Sequence, residues 1–190
     1  VLKTPEHQNS EVGISNTILR LLTDEHDIFV CEMGAYNKGG IKLLADIVKP
    51  DIGIVTGVNE QHLATFGSME NLLSAEGGRE LIEALPPNGV VILNGNNSHC
   101  RKLYEKIENC KKILCYTFST TVPNVLSPGA GIKAEDVTIH KESVSFGVGG
   151  TKFRVSVYGG HNVQNLLLAI AAAKEMGMRL EEMAKACETI

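Results

Sequence analysis

Three short apolar runs each lead into a polar stretch, and those stretches are where this chain could do chemistry. Glu32 closes Ile28-Phe29-Val30-Cys31. Gly57-Val58-Asn59-Glu60-Gln61-His62 follows Ile52-Gly53-Ile54-Val55-Thr56, and Asn94-Gly95-Asn96-Asn97 completes Val90-Val91-Ile92-Leu93. A carboxylate at the end of an apolar strand is expensive to bury unless a donor or a cation meets it. A strand-end Glu that reaches water is the alternative reading of Glu32. His62 taken alone reads as a loop histidine that caps its neighbours.

The elements that must position these groups alternate. Ile28–Glu32, Ile52–Thr56, Val90–Asn94 and Ile113–Tyr116 are short, β-branched and nearly all apolar, the pattern of parallel strands covered on both faces. Between them fall helical patterns. One is short, capped by Ser15 and carries Ile18, Leu19, Leu21 and Leu22; a second spans Gly40–Val48. A third is capped by Ser68, runs through Leu72, Leu73, Leu81 and Leu85, and stops at Pro86-Pro87; a fourth spans Asn97–Glu108. The pattern predicts an α/β fold with a mostly parallel sheet flanked by helices, whose ligands bind beyond the carboxyl ends of the strands. Pro123, Pro128, Gly129 and Gly131 mark a loop. Asp136–His140, Val144–Val148 and Phe153–Tyr158 then read as a small antiparallel meander near 135–158, and helices over Val163–Met176 and Leu180–Thr189 close the chain.

Composition narrows the function classes. The 190 residues suit one domain, 1–190, with no linker to divide it. With 18 basic and 22 acidic residues the net charge is −4 and the pI about 5.9, which is no footprint for nucleic acid or an anionic membrane. No apolar run is long enough for a membrane helix. Five scattered cysteines form no metal-type spacing or paired framework, so a reducing cytoplasm fits. The start at Val1, without Met, reads as a cut inside a longer protein.

Three motifs occur in order: Glu32-Met33-Gly34-Ala35, Gln61-His62-Leu63-Ala64-Thr65-Phe66-Gly67-Ser68, and Gly159-Gly160-His161-Asn162-Val163-Gln164-Asn165. Together they resemble the central ATP-binding domain of the Mur ligases, most nearly the branch that adds D-alanyl-D-alanine. Thr4-Pro5 and Asn9-Ser10-Glu11-Val12-Gly13 resemble the stretch after that family's phosphate loop.

The resemblance implies a P-loop-NTPase-like fold, ATP and Mg²⁺ as cofactors, and amide synthesis through an acyl phosphate. It implies a UDP-linked muropeptide and D-alanyl-D-alanine as partners, no nucleic acid and no membrane insertion. It puts Glu32 and His62 at a metal site and makes Asn165 the reader of adenine, with His161 and Asn162 shaping the pocket. A carboxamide presents a donor and an acceptor on one edge, which matches the N6 and N7 edge of adenine; Asn162 could instead merely cap its helix. Asn9, Ser10 and Glu11 are substrate contacts by analogy.

The sequence also departs from the family. No Gly-rich loop ending in Lys-Ser or Lys-Thr is present; Gly147–Lys152 has related letters in the wrong order and reads as a hairpin turn. The expectation is therefore a central domain without its phosphate loop, inactive by itself. Glu76 falls where most relatives carry a carbamylated Lys, so it reads as a catalytic and metal-binding carboxylate. Gly77-Gly78 beside it would let the backbone approach the phosphates; a surface Glu on an amphipathic helix is the plain alternative. Gly39-Gly40-Ile41 lacks the family's Glu, and Asn96 stands where relatives usually have Asp. Other functions compatible with the chain are a folylpolyglutamate-synthase-like or other amino-acid ligase, or a non-catalytic nucleotide-binding module.

Overall fold

A computed structural model describes residues 1–59, 62–117 and 131–190. The chain divides into two compact units, Val1–Gly53 with Val58–Gly89, and Ile54–Gly57 with Val90–Ile190.

In the first unit a two-stranded parallel ribbon joins β1 (Leu2–Lys3) to β2 (Phe29–Val30), with Leu2 opposite Phe29. Helix α1 (Glu11–Leu21) lies between them in sequence, and α2 (Gly40–Val48) follows. The chain then enters β3 (Ile52–Val55), whose last two residues belong to the second unit. Three short helices complete the first unit: α3 (Leu63–Phe66), α4 (Met69–Ser74) and α5 (Arg79–Ala84). Its core is Ile14 from α1, Ala35, Ile41 and Leu44 from α2 and its approach, Val58, and Phe66, Leu72 and Ala75 from the helical run. Burying side chains of this size contributes about 1.5–3 kcal/mol each.

The second unit holds a sheet in the order β3-β4-β5-β6, formed with β4 (Val90–Asn94), β5 (Lys111–Tyr116) and β6 (Gly131–Lys133). The β4–β5 and β5–β6 pairs are parallel, with Ile92 opposite Ile113 and Cys115 opposite Ile132. Helix α6 (Ser98–Lys106) connects β4 to β5 and packs on both. A three-stranded antiparallel sheet follows: β7 (Glu135–Ile139), β8 (Val144–Val148) and β9 (Thr151–Val155). Phe146 and Phe153 stack across β8 and β9 with centroids 5.3 Å apart. Helix α7 (His161–Glu175) lies against β4, β5 and β6, and α8 (Leu180–Cys187) against β9. The expected fold class is observed: parallel strands flanked by helices, plus a small antiparallel sheet.

Four expectations change. The helix near Ser15 starts earlier, at Glu11, because Ser10 is its cap and accepts from the Gly13 N–H at 3.3 Å. The single helix expected from Ser68 to Leu85 is two, broken at Ala75–Gly78, where Gly78 has φ +88°. Gly131 opens strand β6 instead of ending a loop; Pro123, Pro128 and Gly129 lie outside the described residues. Gly160, not Asn162, is the N-cap of α7. All five cysteines are free thiols, and no helix among the described residues is long and apolar enough to cross a membrane.

Candidate functional site

Glu32 sits just past β2, exposed, on a segment tied down from two sides. Its N–H donates to Thr4 Oγ1 at 3.0 Å, and its Oε1 accepts from Asn9 Nδ2 at 3.2 Å. Asn9 also accepts the Gly34 N–H on its carbonyl at 2.9 Å. Thr4 and Asn9 therefore orient a carboxylate without neutralising it, since both are uncharged. Asn9, expected as a substrate contact, is a Glu32 partner, and Ser10 caps α1. Of the three substrate candidates, Glu11 alone keeps a side chain with no partner among the described residues; it is exposed in the first turn of α1.

His62 and Glu76 meet. His62 is the N-cap residue of α3, and Glu76 lies in the turn between α4 and α5. Nδ1 of His62 is 2.7 Å from Oε1 of Glu76, with the side chains 58% and 26% exposed. A carboxylate only accepts, so the proton of this bond is on Nδ1. The neutral imidazole then has its lone pair on Nε2, the arrangement of a histidine oriented by a carboxylate for a ligand on its other nitrogen. The break after α4 makes this meeting possible. A Cβ at Gly77 would run into the Leu73 carbonyl oxygen, so the chain turns there only as glycine.

These donors fit Mg²⁺. Glu32 and Glu76 each bring a carboxylate, and Mg²⁺ takes one or two carboxylates together with waters and phosphate oxygens. Among the described residues no three His, Cys, Asp or Glu side chains gather as a closed metal cage.

In the second unit, His161, Asn162 and Asn165 lie on the first turns of α7. Asn162 Nδ2 donates to the Tyr158 carbonyl at 2.7 Å, which fixes the approach to the helix. Asn165 is exposed, and its carboxamide has no partner among the described residues, so both of its hydrogen-bonding edges are available. Gln164, on the same turn, is buried; its Nε2 donates to the Cys115 carbonyl at 2.9 Å and its Oε1 is unpaired.

Three features take roles that the sequence alone does not reveal. Thr4 was noted only as part of a motif. Asn96 clasps Thr117 in both directions, accepting its N–H at 3.2 Å and donating to its Oγ1, while Asn94 Nδ2 donates to the Thr56 carbonyl at 2.6 Å. The asparagine run thus ties together the ends of β3, β4 and β5. Glu80 is the third. It is 6% exposed and accepts from the Gly39 N–H at 2.8 Å, the Lys42 N–H at 3.1 Å and Ser74 Oγ at 3.2 Å. One signal for it was legible: α2 begins at Gly39-Gly40 with no Ser, Thr, Asp or Asn to cap it.

An α/β domain with parallel strands and acidic and carboxamide groups near strand and helix ends is the class defined by this fold and these sites. The model of the Mur ligase middle domain matches residues 1–173, and the chain belongs to that family. It is 32% identical over 183 residues to the UDP-N-acetylmuramoyl-tripeptide–D-alanyl-D-alanine ligase of Synechocystis, an alignment covering 96% of this chain and 36% of that protein. The crystal structure of MurF from Acinetobacter baumannii superposes with a TM-score of 0.83 at 25% identity, covering 98% of this chain and 39% of that one. MurF from Thermotoga maritima, in complex with ADP, gives a TM-score of 0.74 at 21% identity, a likeness of fold, over 96% and 41% of the two chains. The chain spans little more than a third of the length of the curated relatives it matches.

Proposed function

We propose that this chain is the ATP- and Mg²⁺-handling middle domain of a cytoplasmic amide ligase that adds D-alanyl-D-alanine to a UDP-linked muropeptide. The observation that carries this reading is the carboxylate of Glu76 seated on His62 at 2.7 Å, at the position where the family resemblance expects a carbamylated lysine. Relatives named for that ligation and a neighbour of the same fold in complex with ADP support it. Mg²⁺, when bound, neutralises phosphate oxygens while the γ-phosphoryl group passes from ATP to the substrate carboxylate and ADP leaves.

The residues divide the work. Glu32, oriented by Thr4 and Asn9, offers a hard carboxylate oxygen to one metal. Glu76 would offer its second oxygen to a metal, and its bond to His62 Nδ1 orients the imidazole so that Nε2 is left for a ligand. Asn165 reads the adenine edge, with His161 and Asn162 shaping the rim of that pocket. Asn9, Ser10 and Glu11 are the candidates for substrate contacts, Asn9 and Ser10 being held in place by their bonds to Glu32 and Gly13.

The test is phosphate release by the protein encoded in the complete reading frame, supplied with ATP, Mg²⁺, D-alanyl-D-alanine and the UDP-linked tripeptide. Turnover is expected with that pair. Turnover with a folate and glutamate instead would reassign the substrate, and no turnover with any acid–amine pair would overturn the reading.

A further inference from the structure

Glu80 is the most deeply buried carboxylate among the described residues, and no basic side chain described there pairs with it. Both of its oxygens are used. Oε1 accepts from the Gly39 N–H and from Ser74 Oγ, and Oε2 accepts from the Lys42 N–H. Gly39 and Lys42 belong to the first turn of α2, which has no side-chain cap of its own. A negative group there satisfies orphan N–H donors and lies at the positive end of the helix dipole. Ser74 ends α4, and Glu80 is the second residue of α5. Between Ser74 and Glu80 runs the turn that carries Glu76.

We propose that Glu80 is a positioning residue for the Glu76–His62 pair: its bond to Ser74 staples the two ends of the turn around Glu76, and its bonds to Gly39 and Lys42 anchor that staple to α2. The proposal rests on the functional reading above only for the use made of Glu76. A carboxylate can serve all three donors at once, whereas a carboxamide must turn an NH₂ toward one of them. In either orientation of a Gln the NH₂ faces a backbone N–H of Gly39 or Lys42, so Glu80→Gln keeps the volume and breaks an anchor to α2.

The test is NMR of the His62 ring nitrogens in the 190-residue chain. Glu76→Gln records the ring with its partner weakened. Glu80→Gln is expected to shift the His62 signals in the same direction, and Mn²⁺ titration is expected to show affinity reduced about tenfold in both variants. Unmoved His62 signals in Glu80→Gln, with faster amide exchange at Gly39 and Lys42, would assign Glu80 to helix stability alone and overturn the proposal. Should Glu80→Gln fail to fold, Ser74→Ala removes one donor only, and the same shift or its absence decides. Ring signals that move while Mn²⁺ affinity stays constant in both variants support the positioning role and remove the metal reading of Glu76.

Discussion

His62 Nδ1, at the start of α3, and Glu76 Oε1, in the break between α4 and α5, are 2.7 Å apart. A glutamate one turn further along a continuous α4 would have its direction set by the helix. Placed in the turn instead, it is aimed by the backbone of Ala75–Gly78 and by His62.

Glu76→Lys is expected to make the ligase depend on CO₂. Lysine supplies a carboxylate only after carbamylation, so activity in this variant should be low and rise with added bicarbonate. The wild-type protein should not respond. A bicarbonate titration of initial rates checks both.

Gly77 and Gly67 separate steric from conformational requirements. Gly77→Ala drives a Cβ against the Leu73 carbonyl oxygen and is expected to cost at least about 2 kcal/mol, or roughly 4–8 °C in melting temperature. Gly67 has φ +72° with open space around it, so Gly67→Ala should cost only the left-handed strain, about 1 kcal/mol. Paired thermal melts read the difference.

Much of the fold was legible in the residues, for identifiable reasons. Val90–Asn94 and Gly40–Val48 have the bounds that their apolar runs predict, and Ser68 caps α4. The failures have physical causes too. Thr17 is buried in α1 and its hydroxyl donates to the Gly13 carbonyl, so a polar letter hid a core position and masked the true start of the helix. Strands β1 and β6 are two and three residues long, too short for any period to show. At the site, the resemblance located His62 and Glu76 but not their contact, which depends on the break at Gly77. Glu80 was missed because a glutamate on a helix reads as a solvated face, and only the capless start of α2 argued otherwise.

The cysteines give a pH prediction. Burial disfavours the thiolate and pushes Cys115 up to about 12 and Cys100 to about 11; Cys31 reaches about 11 through burial and then the nearby Glu32 charge. Cys110 is raised less, by burial, with Lys112 pulling it back. At pH 8 native iodoacetamide labelling should reach Cys110 first and Cys115 last, as read by peptide mass spectrometry. A thiol raised in the folded state stabilises fully below its unfolded value near 8.5. Its contribution is lost as pH rises toward the folded values of about 11 to 12, so denaturant midpoints should fall above about pH 9.

Asn165→Asp exchanges a donor for an acceptor on the side chain proposed to read adenine. It should weaken ATP use by about tenfold, the lower part of the range for a bidentate base contact, and narrow the preference for ATP over GTP. KM measured for both nucleotides checks it, with kcat expected to change less than KM.

The central claim is that Glu76 supplies a carboxylate to the metal and phosphate chemistry through its place beside His62. The most direct measurement is the Mg²⁺ dependence of ligation after Glu76→Gln in the protein from the complete reading frame. The expected result is a rate about a hundredfold lower and half-saturation moved to higher Mg²⁺, because a hard anionic donor is replaced by a neutral one. An unchanged rate with an unchanged Mg²⁺ curve would contradict it.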